Sequence, residues 1–335
     1  MTMFPFRSER VGGGQGRIWL LSLLVSLAMC AVLVRVVDWG AFLEALRRAN
    51  YGLLIVVAGL TVGTLFCRAQ RLRLLLESHG GAASHAAYLR ATALHHLFFV
   101  ALPSGVGDAS LPFIVRTHLQ QPYGAAVASL VFSRLQDLIV VLAFGIAAGL
   151  AMVVPGQMAV LGGCVLLISV VAALYRTTDV VEFFGRRARF LVDKLRSRQD
   201  RAEPGTALAG SRAMSPRTRI QVAAWTVVSW VSAATALWFA FRTYGHALTL
   251  ADLGLIVFGL NVIGAAAIFT IAGLGMTETG LLGLLLVLSW SFAEAASVAV
   301  AVRLSLLTIN LAVPAAIEGV NLLAGLGKSR ARPIA

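Results

Sequence analysis

The chain has 335 residues, 59% of them hydrophobic and only 13% charged, with a mean hydropathy of +0.84. About a quarter of a soluble domain is charged, so this composition excludes a soluble globular protein. The net charge of +13 would suggest nucleic acid in a soluble protein. Here the basic residues cluster between apolar segments, which is the pattern of cytoplasmic anchors beside anionic lipid.

Runs without a charge occupy 18–34, 49–67, 91–107, 138–175, 220–241, 253–277 and 279–293, and a further run, 295–323, is interrupted by Arg303, Pro314 and Glu318. A spanning helix needs about 20 apolar residues. Arg7, Arg10 and Arg17 precede the first run, which reads as a retained signal anchor rather than a cleaved leader. Residues 40–50 read either as a short amphipathic surface helix or as a polar loop. The 138–175 run is too long for one span and divides at Pro155-Gly156-Gln157. Cys30, Cys67 and Cys164 all lie in apolar runs and read as small buried hydrophobes.

Basic loops set the expected orientation. The N-terminus (1–17), the segment 68–90, the segment 176–219 with eleven basic and five acidic residues, and the tail (324–335) all carry an excess of arginine and lysine. They should be cytoplasmic, whereas 38–50 and 242–252 balance to zero and should lie outside. Segments 91–119 and 253–290 must then each leave and return on one side, as a re-entrant hairpin or as two spans. The polar stretch 196–218 reads as a linker between a first membrane half (18–175) and a second (220–323). The fold class expected is an all-α integral membrane protein with about six to eight transmembrane helices.

The two halves carry similar signals. "LPSGVGDASLPFIVR" (102–116) breaks its run at Gly105 and Gly107, followed by Asp108, and Arg134 comes 26 residues after that acid. "AGLGMTETG" (272–280) breaks at Gly273 and Gly275, followed by Glu278, and Arg303 comes 25 residues later. Broken segment, carboxylate, then arginine on the next helix is an internal repeat, and the charge argument makes it inverted. Charges inside a membrane are costly unless paired or facing water, and half-helix N-termini attract anions. Arg116, Arg134 and Arg303 are therefore candidates to hold an anionic lipid headgroup, balanced by Asp108 and Glu278. The same residues also read as structural ion pairs locking the two hairpins. Asp137 shares a helical side with Arg134 and Arg71 is a second basic candidate. His95 and His96 read as interfacial or cavity-lining. No nucleophile triad, nucleotide-binding loop or metal-ligand spacing is present in the sequence, so neither catalysis, a metal nor a cofactor is expected.

The segments "RAQRLRLLL" (68–76), "LPSGVGDASLPFIVR" (102–116), "SRLQDLIVV" (133–141), "IAGLGMTETGLLGLL" (271–285) and "VRLSLL" (302–307) together resemble the lysylphosphatidylglycerol synthase transmembrane-region family, from about residue 18 to 323. That resemblance implies an all-helical fold with re-entrant segments in the bacterial inner membrane, associated with moving lipids between leaflets. In relatives that carry it, an aminoacyl-transferring domain follows the membrane part; this chain ends at Ala335, so lipid aminoacylation is not expected. Gly107-Asp108 and Arg116 fit the family's first motif, with Pro112 intervening. The expected function is a flippase-like translocase for a polar or anionic phospholipid, glycolipid or hopanoid-related lipid, with both termini cytoplasmic. The alternatives are a non-transporting scaffold for lipid-biosynthesis enzymes, docking through 176–219, and a membrane-embedded enzyme acting on a polyprenyl or sterol-like lipid. The expected partners are membrane lipids, with lipid-biosynthesis enzymes on the scaffold reading.

Overall fold

The computed structural model describes residues 37–78, 80, 83–102, 104–154, 156–196, 214–266, 270 and 273–330, with single positions between 24 and 35; side chains at 104–105, 178, 181–196, 266 and 322–330 are not described. The expected first helix (18–34), Cys30, Pro155 and most of the 196–218 linker fall outside the described residues.

Ten helices run through the described chain: α1 (Trp39–Arg48), α2 (Tyr51–Glu77), α3 (His85–Ala101), α4 (Ser104–His118), α5 (Tyr123–Val153), α6 (Gly156–Arg196), α7 (Pro216–Thr243), α8 (Leu250–Ala266), α9 (Met276–Val287) and α10 (Phe292–Arg330). There is no strand among the described residues. Five segments are long and apolar enough to cross a membrane: Tyr51–Glu77, Tyr123–Val153, Gly156–Thr177, Pro216–Thr243 and Phe292–Asn321. The apolar side chains that cover α6, such as Leu161, Val165 and Ile168, are exposed. Hydrocarbon is the solvent that such a surface requires, and the chain is a multi-pass membrane protein.

The segment 39–48 is a helix rather than a loop. Asp38 accepts from the backbone N–H groups of Gly40 and Ala41 at 2.9 and 3.1 Å, satisfying two of the free donors at the helix start. Phe42 packs with Val37 and Ala301, fixing α1 against α10.

Three boundaries differ from those the sequence suggests. Arg68 and Arg71 belong to α2, not to a loop, because the helix runs on to Glu77 with Arg71 buried. An internal carboxylate partner, described below, makes that burial tolerable. Pro314 does not end α10. The start of the basic 176–219 segment is helical as far as Arg196. Of the cysteines, Cys67 is buried as expected, but Cys164 lies on the exposed face of α6.

The order of elements recurs in the two halves. Each has a long helix (α2, α7), a pair of shorter helices around a break (α3–α4, α8–α9) and a second long helix (α5, α10); α6 has no counterpart. The helices α2 and α7 pack closely and antiparallel. Asn50 N–H donates to Thr243 O at 2.8 Å, Ser232 Oγ to Leu60 O at 2.9 Å, and Arg71 Nη1 to Thr226 Oγ1 at 3.3 Å, so numbers fall on one helix as they rise on the other. The first arm of each pair lies against the long helix of the other half. Arg90 and His96 of α3 meet Glu318 and Asn310 of α10. Gly254 of α8 faces Phe144 and Ala148 of α5. The main hydrophobic core, around Phe241, Ile256, Leu285 and Val302, lies where these helices cross. In the loop after α7, His246 stacks on Trp290 with centroids 4.7 Å apart. Burial pushes its imidazole below the usual histidine range, against the opposing pull of Glu294.

Candidate functional site

Two arginine–carboxylate pairs hold the broken segments to the long helices that follow them. Arg134 stands eleven residues into α5, which starts at Tyr123, and Arg303 eleven residues into α10, which starts at Phe292. At 1.5 Å per residue each is about 16 Å along its helix, near the middle of a hydrocarbon core about 30 Å thick.

In the first half Arg134 pairs with Asp108 of α4 and lies 3.8 Å from Asp137 Oδ2. Its guanidinium also stands 4.9 Å from the Phe99 ring centroid. The break itself is a close approach: a Cβ on Gly107 would sit 2.7 Å from Phe99 Cα, so only glycine lets α4 lie this tightly on α3. Ser110 Oγ donates to Gly107 O at 2.6 Å and lies 3.1 Å from His95 Nδ1, stitching the two arms. Gly105 is in the first turn of α4. Arg116 is exposed in the last turn of that helix, and among the described residues no ion pair brings it to the others.

Asp137 is the hub of a buried network. Arg71 of α2 donates to it from both Nη atoms, at 2.7 and 3.3 Å, and Trp230 Nε1 of α7 donates at 2.9 Å. Thr226, beside Arg71, donates to Gln136 Oε1 at 2.6 Å, and Gln136 reaches α6 through Thr177 at 3.3 Å. Two-pronged arginine–carboxylate contacts are strong and orienting, and four helices are pinned here.

The second half is built differently. Gly273 and Gly275 adopt φ of +67° and +83°, a backbone region that side chains disfavour. The chain turns into α9, and Glu278 turns back to cap it: Oε2 accepts from Gly275 N–H at 2.6 Å. The other oxygen, Oε1, accepts from Arg303 Nε at 3.2 Å. The N-terminus of α9 is thus satisfied by a carboxylate of its own helix, and Glu278 is only 5% exposed.

Between the halves lies a cavity of about 210 Å³, bounded by α2, α3, α7, α8 and α10. Its walls are mostly apolar, with alanines of α7 leaving the space. Its polar groups are Arg68, Thr61, Thr64, His96, Asn261 and Asn310. His96 and Asn261 occupy the same place in the two halves, each eleven residues into the first arm of its pair. Asn310 Nδ2 donates to Leu306 O at 2.8 Å, leaving Oδ1 to accept from His96 Nε2 at 3.0 Å. His96 therefore lines a cavity, one of the two placements expected for it. Asn261 and Asn310 were not among the expected site residues, although each is an isolated amide in a charge-free apolar run, and that isolation was the available signal. Arg68 reads in the sequence as a loop anchor, and only the length of α2 places it at the cavity.

The model of the lysylphosphatidylglycerol synthase TM region matches residues 19–313 of the chain. No curated protein and no solved structure matches it. A match across nearly the whole membrane part, joined to the all-helical fold and its polar cavity, identifies the chain as a member of the lysylphosphatidylglycerol synthase transmembrane-region family, with a lipid-related role in the membrane.

Proposed function

We propose that this protein moves a polar or anionic lipid between the leaflets of the bacterial inner membrane, with both termini in the cytoplasm. The headgroup passes through the cavity between the halves while the acyl chains stay in the bilayer. The observation that carries this reading is the cavity itself: the two broken segments deliver His96 and Asn261 to it from equivalent positions. At 1.5 Å per residue, α9 (twelve residues) is about 18 Å long and α4 (fifteen residues) about 22 Å. Both fall short of a core about 30 Å thick, which supports re-entrant hairpins. With the basic loops inside, the first hairpin enters from the cytoplasm and the second from outside, an inverted repeat with the site where the repeats meet. The pairs Asp108–Arg134 and Glu278–Arg303 lock the hairpins, and a passing headgroup competes for their arginines. No chemical transformation is assigned.

A leaflet-resolved lipid inventory tests this, comparing cells that lack the gene with cells re-supplied with wild type, Arg134→Ala or Arg303→Ala. One lipid class should shift leaflet when the gene is lost, with total lipid unchanged. Wild type should restore it, and the arginine variants should not, despite normal membrane insertion. Full restoration by both variants would overturn the reading, and loss of a lipid from the total pool would mark a role in synthesis instead.

A further inference from the structure

The cavity's charge and hydrogen-bonding capacity are unbalanced in a particular way. Arg71 and Arg134 are paired, but the half-buried Arg68, one helical turn before Arg71, has no ion pair or hydrogen bond among the described residues. The local count is Arg68, Arg71 and Arg134 against Asp108 and Asp137, a surplus of one positive charge. An unpaired charge facing hydrocarbon is expensive, so a single negative charge is what the site lacks.

The other polar groups around the cavity offer mainly acceptors. Thr61 and Thr64 spend their hydroxyl protons on Val57 O and Leu60 O, both at 2.9 Å. Asn261 spends one amide N–H on Val257 O at 2.8 Å, keeping Oδ1 free at the exposed rim. Trp230 spends its N–H on Asp137. Arg68 alone offers a full set of unspent donors. No carboxylate lines the cavity, so nothing there would balance a ligand's ammonium group. A volume of about 210 Å³ corresponds to about seven waters at ~30 Å³ each, which leaves room for a phosphate and a short polyol but not for a sugar chain.

We infer that the cavity is a binding site for a phosphodiester lipid with a small, neutral, hydroxylated headgroup, its phosphate held by Arg68 and its hydroxyls donated to Asn261, Thr61 and Thr64. This deepens the transport reading and takes from it only that the occupant is a lipid. It also places the anion on Arg68 rather than on the paired arginines.

The test is native mass spectrometry of the full chain in detergent with dihexanoyl phosphatidylglycerol, phosphatidylethanolamine and phosphatidic acid, together with glycerophosphoglycerol, which lacks acyl chains. Phosphatidylglycerol should bind at least about tenfold more tightly than the other three probes. Arg68→Gln should reduce it to the phosphatidylethanolamine level, and Arg68→Lys should fall between. The unfolding midpoint of Arg68→Gln should not fall, since no internal contact is lost. Equal binding of phosphatidylglycerol by Arg68→Gln and wild type would overturn the assignment. So would equal binding of phosphatidylethanolamine, and tight binding of glycerophosphoglycerol would exclude a lipid occupant. Should Arg68→Gln fail to fold, Asn261→Leu serves: it should erase the preference for phosphatidylglycerol over phosphatidylethanolamine, and an unchanged preference would overturn the proposal. If binding depends on Arg68 but Arg68→Gln restores the leaflet inventory in cells, transport through this site fails while the site stands.

Discussion

The two halves reach the same arrangement, a short broken pair tied to a long helix by one carboxylate and one arginine, by different physical means. The second half uses backbone. Two left-handed glycines turn the chain, and a buried Glu278 both caps α9 and holds Arg303. The first half uses side chains. Its break is a close helix contact at Gly107, its pair is partly exposed, and its rigidity comes from the network around Asp137. Three residues after Arg303, where Asp137 would have its counterpart, stands Leu306, one of the apolar walls of the cavity. The asymmetry shows that charge is concentrated on one side of the site and apolar surface on the other, although the helices match.

The sharpest way to break this comparison is at Asp137. Asp137→Ala leaves buried Arg71 without its carboxylate, and removing one partner of a buried pair costs about 3–5 kcal/mol. Denaturation of the detergent-solubilised protein should show this as the largest loss of any single charge, and a loss below that of Asp108→Ala would deny Asp137 its place as hub. Next come the two hairpin carboxylates. Glu278→Ala removes a helix cap, worth about 1 kcal/mol, together with a sealed ion pair. Asp108→Ala removes a pair whose side chains are 34% and 42% exposed, in the range of about 0–1 kcal/mol for solvated pairs. Equal destabilisation by the two would mean that the halves are not built differently. The smallest effects are expected at the glycines, where the sign of a second substitution separates the two devices. Gly273→Ala should cost about 1–2 kcal/mol for its left-handed backbone, and Gly273→Asn less, because asparagine tolerates that region. Gly107→Ala drives a Cβ into the Phe99 backbone and should cost about 1–3 kcal/mol, with Gly107→Asn worse. Asparagine behaving alike at both positions would show that one of these readings of the breaks is mistaken.

Much of this was legible in the residues. The breaks at 102–107 and 272–275 and the pairs Asp108–Arg134 and Glu278–Arg303 follow from spacing, because each pair joins neighbouring elements and its members lie 26 and 25 residues apart. The contact of Arg71 with Asp137 spans 66 residues and that of Trp230 with Asp137 spans 93, and no local pattern encodes which helices meet. The roles of Arg68 and Arg71 were hidden for a related reason. A rule that sends arginines to cytoplasmic loops has no means of knowing that α2 continues past them, since what keeps the helix going is a carboxylate on another helix. Exposed Arg116 shows the converse: a motif match placed it among the candidates, but its position at the end of α4 turns it away from the cluster.

The seam between α2 and α7 also has a mechanical meaning. It is tied near the end of α7 by Asn50 and Thr243, in the middle by Ser232 and Leu60, and farther along by Arg71 and Thr226, so it behaves as a spine rather than a hinge. Two halves joined along a spine do not rock apart as rigid blocks. Motion that opens the cavity falls to the parts that clasp across it: α3 sliding on α10 and α8 on α5. Each hairpin then works as a separate latch, one facing each leaflet, and the molecule passes its cargo from latch to latch while its backbone frame stays still.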